Sequence, residues 1–179
     1  MGRPLLILDL DETLVSASRK PGEHYDFQVA EYYVVERPHL GHFLEQVCEW
    51  YAIAVWTSSG QSYADELVPR IFPTPARLEF CWAAPRCTRR YDLDLHQHYA
   101  VKDLKKVRRR GYHIERVLMI DDSPEKLERN YGNHLQISPF EGDRDDRELM
   151  AVLPFLQWLK EQPDFRTIEK RNWRTRDVQ

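Results

Sequence analysis

Two aspartates two residues apart, Asp9 and Asp11, stand where a short aliphatic run, Leu5–Leu8, gives way to polar residues. At a strand end that spacing sends both carboxylates into one crevice while Leu10 turns to the core. One such group can act as nucleophile and the other as proton donor, the pairing needed to break a phosphate ester. Phosphate monoesters are among the slowest bonds to hydrolyse, with accelerations of up to ~10²¹ required. Two further apolar runs end in the same manner. Ile53–Trp56 leads into Thr57-Ser58-Ser59-Gly60, and Val117–Ile120 into Asp121-Asp122-Ser123-Pro124. Four carboxylates gathered at one edge repel one another, and a divalent cation relieves them. All-oxygen ligation favours Mg²⁺ over zinc. Lys102, between the second and third of these strand ends, is a candidate counter-charge for the carboxylates and a bound phosphate. Asp92-Leu93-Asp94 repeats the tripeptide with no buried strand before it, and reads as a turn.

The elements that must position these residues follow from apolar periodicity. Leu5–Leu8, Ile53–Trp56, Val117–Ile120 and the weaker Leu135–Ile137 read as buried parallel strands. Between them, His39–Tyr51 places Leu40, Phe43, Leu44, Val47 and Trp50 on one helical face. Ser62–Ile71 and Val101–Arg110 are further helices, the second closed by Gly111. Ser123-Pro124-Glu125 has the form of a helix start, with serine as N-cap and proline at the first position. Asp145–Gln162 is the longest helical pattern and must accommodate Pro154. Alternating strands and helices predict an α/β fold with a doubly wound parallel sheet, in which ligands bind at the carboxyl ends of the strands. Two stretches break the rhythm. Tyr25–Val35 predicts a β-hairpin insert, and Arg77–Tyr99 a second, irregular one.

Composition sets the frame. The 179 residues carry 26 Lys and Arg against 29 Asp and Glu, a net charge of −3, with 42% hydrophobic residues. That is one domain's worth of chain, with no global attraction to nucleic acid and no membrane-length apolar run. Three cysteines cannot all pair, which fits a reducing, cytoplasmic setting. Residues 1–160 read as the domain and 161–179 as a polar tail, either frayed or lying over the domain with Trp173 as an anchor.

Together these motifs resemble the haloacid dehalogenase superfamily of aspartate-based phosphatases. Within it the match is to the FCP/SCP-like branch, the RNA polymerase II C-terminal-domain phosphatases or NLI-interacting-factor family. The stretches that carry the resemblance are Asp9-Leu10-Asp11-Glu12-Thr13-Leu14, Glu36-Arg37-Pro38-His39-Leu40, Trp56-Thr57-Ser58-Ser59, Val101-Lys102-Asp103-Leu104, Ile120-Asp121-Asp122-Ser123-Pro124 and Pro139-Phe140-Glu141-Gly142-Asp143. They occur in family order over about residues 4 to 160.

The resemblance implies a Rossmann-like core without a large cap domain, and a Mg²⁺-dependent phosphatase working through an aspartyl-phosphate. It assigns Asp9 as nucleophile and Asp11 as general acid and then base, the latter also offering a backbone carbonyl to the metal. Thr57, Ser58 and Lys102 would bind the phosphate. Asp121 and Asp122 would complete the metal shell with Asp9 and Asp11. The implied substrate is phosphoserine or phosphothreonine in a protein or other macromolecule, with nucleic-acid ends or small metabolites as alternatives. A non-catalytic phospho-binding module is a further alternative. Trp56 and Ser58 replace the family's usual Phe or Tyr and Ala, and Arg86, Arg89 and Arg90 compete for the place of a family arginine.

Other signals carry less. Lys102–Arg116 holds seven basic and two acidic residues, a solvated helix face or a docking patch for a phosphorylated or nucleic-acid partner. Cys81, Cys87, His96 and His98 fit no standard zinc spacing. A phosphoacceptor receiver domain would place its acidic pair first and its lone aspartate later, the reverse of the order here.

Overall fold

The computed structural model describes residues 2–72, 78–94 and 96–176. Its centre is a five-stranded parallel sheet in the order β10-β9-β1-β5-β6. The strands are β1 (Leu5–Leu8), β5 (Ala52–Trp56), β6 (Leu78–Trp82), β9 (Val117–Asp121) and β10 (His134–Gln136). β1 lies in the middle, with Leu8 in register with Val55 on one side and Ile120 on the other.

Alternation along these strands divides the core into two layers. Leu6, Leu8, Ile53, Val55, Leu118 and Ile120 face α1 (Leu40–Trp50), α2 (Gln61–Ile71) and α4 (Glu148–Leu159). The intervening Leu5, Ile7, Trp56, Val117 and Met119 face Leu104 and Val107 of the α3 region (helix Lys105–Arg108), and Leu127 of a 3₁₀ turn. The doubly wound sheet is therefore as the apolar runs predict.

Several elements depart from the sequence reading. Leu78–Trp82, placed by periodicity in an irregular insert, is a fifth parallel strand at the sheet edge. Its aromatic residues hid the aliphatic signature of a buried strand: Phe80 stacks on Trp82, and Trp82 meets Trp56 edge-on. The helix expected over Val101–Arg110 shrinks to Lys105–Arg108, because Val101 ends strand β8 (Gln97–Val101). Gly111 does take the left-handed conformation that ends the segment, with φ 95°. Ser123 caps nothing: its hydroxyl donates to Asp122, and Pro124–Leu127 forms only a 3₁₀ turn.

The two inserts flank one end of the sheet. β2 (Val15–Ser18), β3 (Phe27–Val29) and β4 (Tyr32–Glu36) form an antiparallel sheet in the order β2-β4-β3, one strand more than the predicted hairpin. β7 (Thr88–Asp92) pairs with β8 as a second hairpin. At its turn the Asp94 amide donates to the Asp92 carboxylate, the local bond that makes this Asp-x-Asp a turn. Trp173 is buried, and its indole N–H donates to the Gln136 carbonyl, tying the C-terminal segment to the β10 edge. Arg77, which opens the second insert in the sequence reading, and residues 177–179 lie outside the described residues.

Candidate active site

Strand parity delivers the first acidic groups. Asp9 continues the side of β1 that carries Leu5 and Ile7, and Asp121 the side of β9 that carries Val117 and Met119. Both carboxylates therefore project onto the face covered by Leu104 and Leu127. The Asp9 amide donates to the Ile120 carbonyl, which holds the two strand ends level. Beyond Asp9 the chain turns sharply. Leu14 and Val15 amides both return to the Leu10 carbonyl, and Glu12 sits at a positive φ of 59°.

Two lysines come to this face as a pair. The Lys102 amide donates to the Lys126 carbonyl at 2.7 Å, joining the end of β8 to the 3₁₀ turn after Asp122. Buried Leu104 and Leu127 anchor the two segments. Lys102, fully buried, places its ammonium 2.9 Å from Asp9 Oδ1 and 2.6 Å from Asp121 Oδ2. Lys126 Nζ lies 3.0 Å from Asp9 Oδ2, 3.6 Å from Asp121 Oδ1 and 3.9 Å from Asp122 Oδ1. Asp9 Oδ1 also accepts the Leu10 amide.

Asp11 has different surroundings. Its carboxylate accepts the Ser59 hydroxyl at 2.6 Å and the Tyr63 hydroxyl at 2.6 Å. The β5–α2 turn and the start of α2 supply them: Thr57 follows the strand, its Oγ1 accepts the Ser59 amide, and Tyr63 lies in the first turn of α2. Ser58 lines the cleft beside them. This cleft, about 420 Å³, lies between Asp11, Lys126 and the Tyr32 side of the β2–β4 sheet.

These environments push the two carboxyls apart. Burial by itself would raise the Asp9 pKa, but the Lys102 and Lys126 ammoniums outweigh it and hold Asp9 below the usual range. Asp11 is raised by burial, with its two hydroxyl partners opposing the rise. Asp121 is raised by burial and by the charge of Asp9. Such a separation is how two carboxylates take opposite parts in one reaction.

Asp9, Asp121 and Asp122 each offer an oxygen, and these lie within 4.8 Å of one another. At the usual ~2.1 Å metal–oxygen distance of Mg²⁺, adjacent ligands stand about 3.0 Å apart and opposite ones about 4.2 Å, so the three carboxylates draw somewhat closer to share a hard cation. Three buried carboxylate donors, with no nitrogen or sulfur among them, fit a divalent metal of that kind. Asp122 is itself held by the Ser123 and Thr13 hydroxyls, and its carbonyl by Gln136.

Of the residues picked out in the sequence, Asp9, Lys102, Asp121 and Asp122 come together, with Asp11 and Ser58 lining the adjoining cleft and Thr57 buried behind it, bonded to the Ser59 amide. The three competing arginines do not join them. Arg86 covers the Trp82 ring, Arg90 pairs with Glu128, and Arg89 is exposed on the hairpin. The second cation is Lys126, which sequence reasoning passed over; its spacing of four residues after Asp122 was the available signal. Ser59 and Tyr63 were missed as well. So was Arg37, fully buried, whose guanidinium holds Asp146 with two bonds and the Thr13 and Ser138 carbonyls with others. It lies over the Phe140 ring and so clamps the segment near Phe140 against the Asp9–Thr13 turn. The Phe140 amide in turn donates to the Glu12 carbonyl.

A parallel α/β sheet with an acidic, cation-lined site at the carboxyl ends of its strands is the class that fold and site define. The profile of the NLI interacting factor-like phosphatases matches residues 4–166, and the chain belongs to that family. A Dictyostelium discoideum protein named "Probable C-terminal domain small phosphatase" is 32% identical over 96% of this chain and 56% of its own length. A Phytophthora infestans protein named mitochondrial import inner membrane translocase subunit TIM50 is 33% identical over 92% of this chain and 37% of its own. The chain thus spans only part of these relatives. The solved structure of the fission yeast RNA polymerase II CTD phosphatase Fcp1-R271A bound to beryllium fluoride shares the fold. Its TM-score is 0.60 at 22% identity, covering 89% of this chain and 51% of that one. No helix among the described residues is long and apolar enough to cross a membrane.

Proposed function

We propose that the chain hydrolyses phosphomonoesters through a phosphoryl group carried transiently on Asp9. The observation that carries this reading is the opposed tuning of two neighbouring carboxylates, Asp9 kept charged by two ammoniums and Asp11 raised by burial.

An oxygen of the Asp9 carboxylate attacks phosphorus as the ester P–O bond breaks, and Asp11 passes its proton to the departing oxygen. Asp11, now ionised, takes a proton from water as that water attacks the phosphoryl group. The bond from phosphorus to Asp9 then breaks, releasing inorganic phosphate and restoring both carboxyls. Ser59 and Tyr63 hold the Asp11 carboxylate in place throughout. Lys102 is the buried cation that offsets negative charge building beside Asp9, with Ser58 in the cleft and Thr57, buried just past the strand end, offering hydroxyls to phosphate oxygens. Asp9, Asp121, Asp122 and the Asp11 carbonyl would hold Mg²⁺, which neutralises phosphate charge when bound.

The substrate we favour is phosphoserine or phosphothreonine in a flexible protein chain. Two features support it: the cleft is open to solvent, and a relative is named as a small phosphatase of a C-terminal domain. Three cysteines cannot all pair with one another, which fits work in a reducing compartment such as the cytoplasm.

The test is hydrolysis of an aryl phosphate in Mg²⁺. Asp9→Asn should lower the rate by about 10³-fold or more while leaving the fold intact by circular dichroism. Full activity in that variant would overturn the assignment. A screen of phosphopeptides against 3′- and 5′-phosphorylated oligonucleotides and small phosphate esters then separates the substrate classes, and preference for either of the latter would refute the protein substrate.

A further inference from the structure

Lys126 does more than add charge. Its ammonium sits among one oxygen each of Asp9, Asp121 and Asp122, at 3.0, 3.6 and 3.9 Å. These are the same three carboxylates whose oxygens converge closely enough to hold a metal. A Mg²⁺ bonded to them would stand about 2.1 Å from each ligand oxygen. The ammonium and the ion therefore lay claim to one small space, and two cations at that separation repel strongly. We infer that Lys126 is a tethered cation that competes with the divalent metal for the Asp9–Asp121–Asp122 cluster and must swing out for the metal to bind.

Local structure allows this motion. The backbone of Lys126 is fixed on both sides, its amide donating to the Ser123 carbonyl and its carbonyl accepting the Lys102 amide, with Leu127 in the core beside it. Its side chain is 18% exposed and lines the cleft beside Asp11, whereas that of Lys102 is wholly buried. The stem can thus rotate outward into open cleft without disturbing the turn. Asp9 itself is only 1% exposed, with Oδ1 held by Lys102 and the Leu10 amide and Oδ2 facing Lys126. Departure of the ammonium uncovers Oδ2 for the metal and leaves Oδ1 with Lys102 and the Leu10 amide. In the metal-free chain the same ammonium keeps the carboxylates from repelling one another, so the site stays assembled.

The inference rests on reading this cluster as a metal site, and its test is metal binding rather than turnover. Mg²⁺ is titrated calorimetrically into the intact, chelator-treated chain and its Lys126→Met and Lys126→Arg variants. The Met variant should bind about tenfold more tightly or better, and the Arg variant close to the unaltered chain. The Met variant should also melt lower without metal and gain more from Mg²⁺ in a thermal-shift assay. Should Lys126→Met prove too unstable to titrate, Lys126→Gln with Mn²⁺ followed by electron paramagnetic resonance gives the same comparison. Equal or weaker metal affinity in the uncharged variants overturns the inference, even with Mg²⁺-dependent hydrolysis intact. Hydrolysis by the unaltered chain that needs no metal would overturn the reading of the site instead.

Discussion

Replacing Tyr63 by Phe removes one oxygen and leaves the ring, which packs edge-on against Tyr32 with centroids 5.3 Å apart. The lost hydroxyl donates to Asp11 Oδ1 at 2.6 Å, a bond that favours the ionised carboxylate. A hydrogen bond to a charged group contributes about 1.5–3 kcal/mol. At 1.36 kcal/mol per pKa unit that corresponds to a rise of roughly one to two units. Ser59 still donates to Oδ2, and water can reach part of the vacated space, so about one unit is the expected net rise. The sign follows from the proposed chemistry. Asp11 must be protonated to expel the leaving group, so a higher pKa keeps the competent form to higher pH.

The assay is the pH dependence of phosphoryl transfer in single turnovers, with an alkyl phosphate whose leaving group needs the proton. Its alkaline limb should move up by about one unit in Tyr63→Phe, and further in Tyr63→Phe combined with Ser59→Ala. An aryl phosphate with an acidic leaving group should show much less change. Tyr63 cannot itself be the titrating group, because burial and the nearby Asp11 charge push its hydroxyl far above the usual range. A limb that stays in place, or moves to lower pH, would refute the role given to Asp11.

Two further predictions concern the scaffold. Arg37→Met strips the partners from Asp146 and from the Thr13 and Ser138 carbonyls, and should cost about 3–5 kcal/mol in urea unfolding. Arg37 also holds Asp146 below its ordinary pKa despite burial, so this contribution should persist above about pH 4 and fade as pH falls below it. A midpoint unchanged by the substitution would show that the clamp is not what keeps the Phe140 segment in place. Trp173→Ala removes a buried ring and its bond to Gln136, with an expected loss of about 3–5 kcal/mol. A loss below about 1 kcal/mol would mean that the C-terminal segment contributes little to the domain.

The sequence by itself carried the sheet and the acidic strand ends, because both are local. Four-residue aliphatic runs in Leu5–Leu8 and Val117–Ile120 can hardly avoid burial, and polar residues after them fall at the strand carboxyl ends whatever the rest of the chain does. The helical face of Leu40, Phe43, Leu44 and Val47 was legible for the same reason. β6 was not, since its burial comes from Phe80 and Trp82 stacking across the sheet edge and not from an aliphatic run. Only the tertiary structure could decide what surrounds each carboxylate. Asp9 meets Lys126 across 117 residues, and Asp11 meets Tyr63 across 52. Those separations close when β8 and the turn after β9 dock on one face of the sheet and α2 on the other. A pKa depends on distance in space and on burial, neither of which a residue's neighbours in sequence determine. Chain order thus settled where the four aspartates would gather, and folding settled which of them is held charged and which is pushed toward its protonated form.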